Sequence, residues 1–311
     1  MLAGDASFRR YYRLADGKRR AVLMDAPPPH EDVRPFVQVA NLLRGYGLSA
    51  PEILAEDRDL GLLLVDDFGD DTYTRLLAGG ADEATLYPLA VDTLVALQRA
   101  VTAPPDLPPY DDARLLDEAA LLSDWYAPEA LGGPLSPALR DEYLALWREV
   151  LPRAALPGPT LVLRDYHADN LMLLSGRTGV RQCGLLDFQD ALYGPASYDL
   201  VSLLEDARRD VPAALRTAMT ERYLAAFPDI DRGQFNRSAA ILAAQRNAKI
   251  IGIFTRLWRR DGKPQYLVHI PRVWRLLEGD LRAPALHGIA AWLDRHLPLS
   301  VRRAPDRRTA A

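Results

Sequence analysis

Short apolar runs set off by polar and turn residues over the first 68 residues predict mainly strands, with one helix among them. Residues 8–14 and 20–24 form two candidate strands separated by Asp16-Gly17, a dipeptide suited to a tight turn. Asp32 and Pro35 then open a helix whose apolar face is Val33, Phe36, Val37, Ala40 and Leu43, with Gly45 and Gly47 as terminators. Residues 53–54 and 60–65 supply two more strands, so a small antiparallel sheet on one helix is expected. From about Asp71 the apolar period lengthens and helices are predicted at 84–100, 113–126 and 137–153. The stretch 164–188 interrupts them with a loop and a hairpin of 171–174 and 181–186. Helices resume at 197–209, 213–227, 232–260 and 285–296, and residues 302–311 lack apolar partners and are expected to fray. The fold class is therefore α+β in two lobes: residues 1–68, ending in a hinge near Asp66–Gly69, then 69–301, then the tail 302–311.

Composition narrows the picture by exclusion. The 311 residues are 49% apolar and 26% charged, ordinary values for a globular protein. A net charge of −4 gives no global attraction to nucleic acid or anionic membrane. No run reaches the roughly 18 apolar residues of a membrane span, and no secretory signal opens the chain, so a cytoplasmic location is expected. Cys183 is the sole cysteine, which excludes an internal disulfide and a cysteine-rich metal site. Nothing in the pattern calls for an obligate protein partner. Lysine is scarce: only Lys18, Lys249 and Lys263 are present.

The chemistry concentrates in Leu163-Arg164-Asp165-Tyr166-His167-Ala168-Asp169-Asn170 and Leu186-Asp187-Phe188. Asp165 can accept a hydroxyl proton and orient the oxygen for in-line attack. Asn170 and Asp187, arriving from adjacent hairpin ends, offer hard oxygen ligands suited to Mg²⁺, with phosphate and water completing the octahedron. Asp190 is a further ligand or a hydrogen-bonding partner of one. His167 serves phosphate polarisation or a structural hydrogen bond. Phosphoryl transfer from a nucleotide is the reaction this layout favours.

These segments resemble the aminoglycoside phosphotransferase and choline kinase branch of the protein-kinase-like fold. In that branch H-x-D-x-x-x-x-N is followed by an apolar-D-[FW] element and Gly-x-x-x-x-Asp, here Gly194 to Asp199. The resemblance implies that Asp199 supports the catalytic loop by accepting backbone hydrogen bonds. A narrower likeness, to bacterial anomeric N-acetylmuramate/N-acetylglucosamine kinases, runs through the segments 4–11, 24–28, 185–191, 204–210 and 245–254. It implies ATP-dependent phosphorylation of the anomeric hydroxyl of a free amino sugar, in cell-wall recycling. Leu63 to Gly69 looks like the interlobe hinge, with adenine read around Asp66 and Phe68 and packed by Val22 and Leu186. Ser7 and Phe8 would cover the phosphates, since no G-x-G-x-x-G loop is present.

Three departures stand out. Leu163 stands where the family often has histidine, and Gln189 where protein kinases have glycine. The strand that normally ends in a phosphate-binding lysine ends in Met24, and the helix that normally carries its glutamate partner has Gln38 and Asn41. Arg9 or Arg10 is expected to supply the missing cation, since a guanidinium suits bidentate phosphate contact. Sugar recognition is expected from Gln189, Asp190, Glu205, Arg208, Arg209, Asn247 and Lys249, with a solvated helix face as the plain alternative. The rival functions are a kinase for an aminoglycoside- or choline-type substrate and an inactive nucleotide-binding regulator.

Overall fold

The computed structural model describes residues 8–17, 19–155 and 158–305. The first strands form as expected: β1 (Arg10–Asp16) pairs antiparallel with β2 (Arg19–Asp25), from Arg10↔Asp25 to Asp16↔Arg19. Gly17 in the connecting turn has φ 59, a left-handed backbone that costs glycine little. Helix α1 (Arg34–Gly45), with Pro35 in its first turn, buries Phe36, Val37, Val39, Ala40 and Leu43. Strands β3 (Ile53–Asp57) and β4 (Leu62–Asp66) complete a sheet of order β1-β2-β4-β3.

The helical region begins with α2 (Tyr73–Ala78), too short for its period to be legible, and α3 (Glu83–Ala100). The single helix expected over 113–126 is instead α4 (Asp112–Leu121) followed by a π-helical turn, Leu122–Tyr126, and α5 (Ala127–Leu131). Helix α6 (Pro137–Val150) and the strands β5 (Pro159–Val162), β6 (Leu171–Leu173), β7 (Cys183–Leu185) and β8 (Leu192–Pro195) follow. β6 and β7 form the expected hairpin, and β5 pairs with β8. The chain ends in α7 (Tyr198–Leu204), α8 (Ala213–Ala226), α9 (Arg232–Asp261), α10 (Ile270–Asp280) and α11 (His287–His296).

Two compact units emerge. The first comprises Met1–Leu107, Leu163–Leu192 and Thr217–Ala226, so it runs past the boundary expected after Phe68. Backbone bonds explain why the hairpin belongs there: Leu185 N–H donates to the Ser49 carbonyl and Leu173 N–H to that of Asp71, both at 2.8 Å. The second unit comprises Pro108–Val162, Tyr193–Arg216 and Phe227–Ala311. Its spine is α9, buried along most of its length. A Cβ on Gly252 would lie 2.3 Å from the Leu121 carbonyl, so α9 and the end of α4 touch backbone to backbone where the π turn begins.

Two expectations need correcting here. Helix α10 was not expected, although Ile270, Val273, Trp274 and Leu277 recur at helical spacing and are all buried. The tail is packed as far as it is described. Arg302 lies over Trp274 at 5.4 Å and pairs with Glu278 and Asp294, while the Tyr126 hydroxyl donates to the Val301 carbonyl at 2.6 Å. Among the described residues no helix is long and apolar enough to cross a membrane.

Candidate active site

The loop ahead of β6 is closed by its own backbone. Asn170 N–H donates to the His167 carbonyl at 2.9 Å, and Leu186 N–H donates to the Asn170 carbonyl at 3.0 Å. His167 is buried at the head of the short turn Ala168–Asn170, and Asp169 accepts a hydrogen bond from Thr74 in α2. Arg164 and Asp187 are the described non-glycine residues with positive φ, at 69° and 55°. Such backbone costs on the order of 1–3 kcal/mol and persists where surrounding bonds over-determine it. It leaves Asp165 exposed between them in sequence.

Asn170 joins the predicted base and the predicted metal ligand. Its Nδ2 donates to the Asp165 carbonyl at 3.0 Å and lies 3.5 Å from Asp187 Oδ2. With the nitrogen on the loop backbone, Oδ1 is the atom that can face a cation. Gln189 Nε2 donates to Asp187 Oδ1 at 2.9 Å and to Asp190 Oδ2 at 3.3 Å, which aligns both carboxylates. No group of three His, Cys, Asp or Glu able to hold a metal gathers among the described residues. Two hard oxygen donors, an amide and a carboxylate, fit Mg²⁺, which takes few protein ligands and fills its shell with phosphate and water.

The nucleotide-binding candidates lie in the same unit, except that Ser7 falls outside the described residues. Phe8 is exposed and stacks on His30 at 4.8 Å. Arg9 Nε pairs with Glu31 Oε2 at 3.1 Å, and its Nη1 is 3.6 Å from Asp187 Oδ1. Arg10 opens β1 and is exposed. Val22 is buried in β2 opposite Val65. The segment after β4 is pinned. Arg13 holds Asp67, Asp70 and the Gly69 carbonyl, while Arg177 pairs with Asp66 at 3.2 Å and lies over the Phe68 ring at 5.0 Å.

The remaining candidates sit in the second unit. Asp199 is buried in the first turn of α7, where a carboxylate suits the helix dipole. That helix stops at Leu204, five residues short of expectation, because Glu205 leaves helical geometry and Asp206 turns back to accept Arg208 N–H at 2.8 Å. Glu205, Arg208 and Arg209 therefore occupy a loop. Glu205 and Arg209 line a cavity of about 470 Å³ with Asp206, Arg216, Arg272 and Asp280. Asn247 Nδ2 donates to Glu205 Oε2 at 2.8 Å and Asp280 Oδ2 at 2.9 Å, clasping two carboxylates. Burial pushes the Glu205 carboxyl up from its ordinary value; burial and then the Glu205 charge push Asp280 well up.

Lys249 lies elsewhere. It is buried against Glu118 at 2.9 Å and the Tyr198 hydroxyl at 3.4 Å, and Glu118 also accepts from Tyr110 and from Gln245. Asn247, Lys249 and Arg246 are thus core residues, so the solvated-face alternative fails at these positions. Sequence reasoning missed Glu31, Glu118 and Asp280. Asp280 did carry a signal: an acid in the last turn of a helix opposes the dipole and calls for a partner. Glu31, in a proline-rich turn, carried none.

The model of the phosphotransferase enzyme family matches residues 2–235. A protein of Caulobacter vibrioides named N-acetylmuramate/N-acetylglucosamine kinase is 37% identical, over 97% of this chain and 93% of its own. One of the same name from Pseudomonas aeruginosa is 44% identical, over 89% and 81%. Among solved structures, the GDP complex of wild-type aminoglycoside 2'-phosphotransferase-IIIa superposes with TM-score 0.55 at 19% identity, covering 87% of this chain and 92% of that one.

Proposed function

The chain belongs to the phosphotransferase enzyme family, and from that premise we propose that it phosphorylates the anomeric hydroxyl of N-acetylmuramate and N-acetylglucosamine with ATP, in the cytoplasm, during peptidoglycan recycling. The observation that carries the reading is the Asn170 amide, set between the Asp165 carbonyl and the Asp187 carboxylate in a chain 37% identical to a kinase of that name. Asp165 takes the proton of the attacking hydroxyl. Asn170 Oδ1 and Asp187 would hold Mg²⁺, which when bound neutralises charge on the phosphate oxygens. Ser7, Phe8, Arg9 and Arg10 would line the phosphates, with Val22, Asp66 and Phe68 on the base and Asp199 and His167 supporting the loop. Gln189 and Asp190 would meet the acceptor.

In the second unit Glu205 and Arg209, which line a cavity, would contribute to recognition of the acceptor sugar. Arg208 and Arg209 offer a cation to the lactyl carboxylate of N-acetylmuramate, and the carboxyl pair held by Asn247 accepts sugar hydroxyls. Lys249, held in the core by Glu118 and the Tyr198 hydroxyl, does not line that cavity. The test is ADP release with ATP, Mg²⁺ and a panel of amino sugars, aminoglycosides and choline. A sugar 1-phosphate is the expected product. Nucleotide binding without sugar-dependent turnover would instead identify a regulator, and turnover with an aminoglycoside or choline alone would reassign the acceptor.

A further inference from the structure

The first unit contains a cation and counter-anion in an unusual place. Met24, near the end of β2, is 1% exposed and sits in register with Tyr11 and Leu63, so that position delivers no cation. Arg9, just ahead of β1, has its guanidinium Nε on Glu31 Oε2 at 3.1 Å and Nη1 3.6 Å from Asp187 Oδ1, with Tyr11 beside it. The other oxygen of Glu31 accepts the backbone N–H of Phe8 at 3.0 Å. One carboxylate thus holds the main chain of one residue and the side chain of the next, while neighbouring His30 stacks on the Phe8 ring. Burial works against the Arg9 charge, but Tyr11, Asp187 and Glu31 outweigh it and raise the guanidinium above its ordinary value.

We propose that Arg9 is the cation that contacts the nucleotide phosphates, and that Glu31 is the positioning residue that aims it past Asp187. A guanidinium is planar and rigid, so anchoring Nε sets the direction of both terminal nitrogens. Glu31 occupies one edge, and the nitrogen beyond it reaches the carboxylate assigned to the metal, where phosphate oxygens would collect. Arg10, exposed opposite Asp25, has no such anchor among its described contacts. A lysine–glutamate pair bridging strand and helix is replaced by an arginine–glutamate pair bridging the chain ahead of β1 and the turn ahead of α1. The proposal rests on the kinase reading for its ligand, but its deciding measurement, nucleotide binding, needs no acceptor sugar.

A double-mutant cycle decides it, using direct binding of a fluorescent ATP analogue with Mg²⁺, steady-state kinetics and melting temperature. Arg9→Ala is expected to weaken nucleotide affinity about 10- to 100-fold, the range of a lost charge-assisted contact, with the KM for sugar unmoved. Glu31→Gln keeps an acceptor for Phe8 N–H but loses the charge, and should weaken nucleotide binding several-fold. On the Arg9→Ala background the same change should add nothing, because Glu31 acts through Arg9. Arg9→Lys should recover part of the affinity. Equal losses from Glu31→Gln in both backgrounds would overturn the positioning role, and unchanged affinity in Arg9→Ala would overturn the proposal. A fall in melting temperature with intact nucleotide affinity would reduce the pair to a staple of the fold. Wild-type protein that binds nucleotide without phosphorylating any sugar would sink the kinase reading, and the binding cycle would still stand.

Discussion

Asp187 holds a left-handed backbone that valine or isoleucine would resist, and Gln189 fixes the carboxylate so produced. The loop therefore stores local strain in exchange for geometry, and its residues should be sensitive to small changes. Asp165→Asn is expected to lower kcat by about 10²–10⁴-fold with little change in the KM for ATP, in a steady-state assay. Arg209→Ala should raise the KM for N-acetylmuramate about tenfold while leaving N-acetylglucosamine unaffected, since only the former carries a carboxylate. Equal shifts for both sugars would remove Arg209 from carboxylate recognition. Gly184 illustrates a constraint of another kind. A Cβ there would lie 2.9 Å from Phe68 Cδ2 and 3.1 Å from Leu174 and Met172. Gly184→Ala should cost about 1–3 kcal/mol in chemical denaturation. At this scale the meeting of Asn170 with the Asp165 loop and with Asp187 was legible, because all three flank one short hairpin. Glu31 was not, because its role depends on two residues brought back from 22 and 23 positions away.

At the scale of elements, α9 carries the second unit. Asp231 caps its N-terminus by accepting Gln234 N–H at 2.7 Å, and Gly262 closes the other end in a left-handed conformation. The sequence marked both ends of this helix within one residue. It did not show that the helix is buried nearly all round, because a core helix carrying arginine, lysine, asparagine and glutamine reads as a surface one. The buried polar residues are tolerated where partners meet them, as Glu118 meets Lys249. Lys249→Met is expected to destabilise by about 3–5 kcal/mol because Glu118 is left charged and buried. Lys249→Met with Glu118→Gln should recover much of that loss in urea denaturation. Additive losses would show that the two residues act separately.

For the molecule as a whole, the pair Glu205 and Asp280 couples stability to pH. Both carboxyls are raised in the folded chain, which therefore binds more protons than the unfolded one above the ordinary carboxylate range, about pH 4. The stability they contribute is complete below that range and declines as pH climbs through the raised values, with Arg216 and Arg246 limiting the rise for Glu205. Asp280→Asn should flatten the fall of melting temperature with rising pH; a curve parallel to wild type would count against the coupling. Such a pair is invisible in the sequence, since its members are 75 positions apart. What the sequence by itself determined is local: short apolar runs between turn residues giving the four-stranded sheet, helical period giving α3, α6, α8 and α9, and the hairpin that brings Asn170 to Asp187. These follow from backbone geometry and from contacts a few residues apart. The tertiary structure alone decided which charges are partnered. It put Arg9 on Glu31 and Asp187, Asn247 on Glu205 and Asp280, and Lys249 on Glu118. The physical reason is that burying a charge is unfavourable unless an opposite or hydrogen-bonding group arrives at the same place, and only the folded chain brings distant groups there.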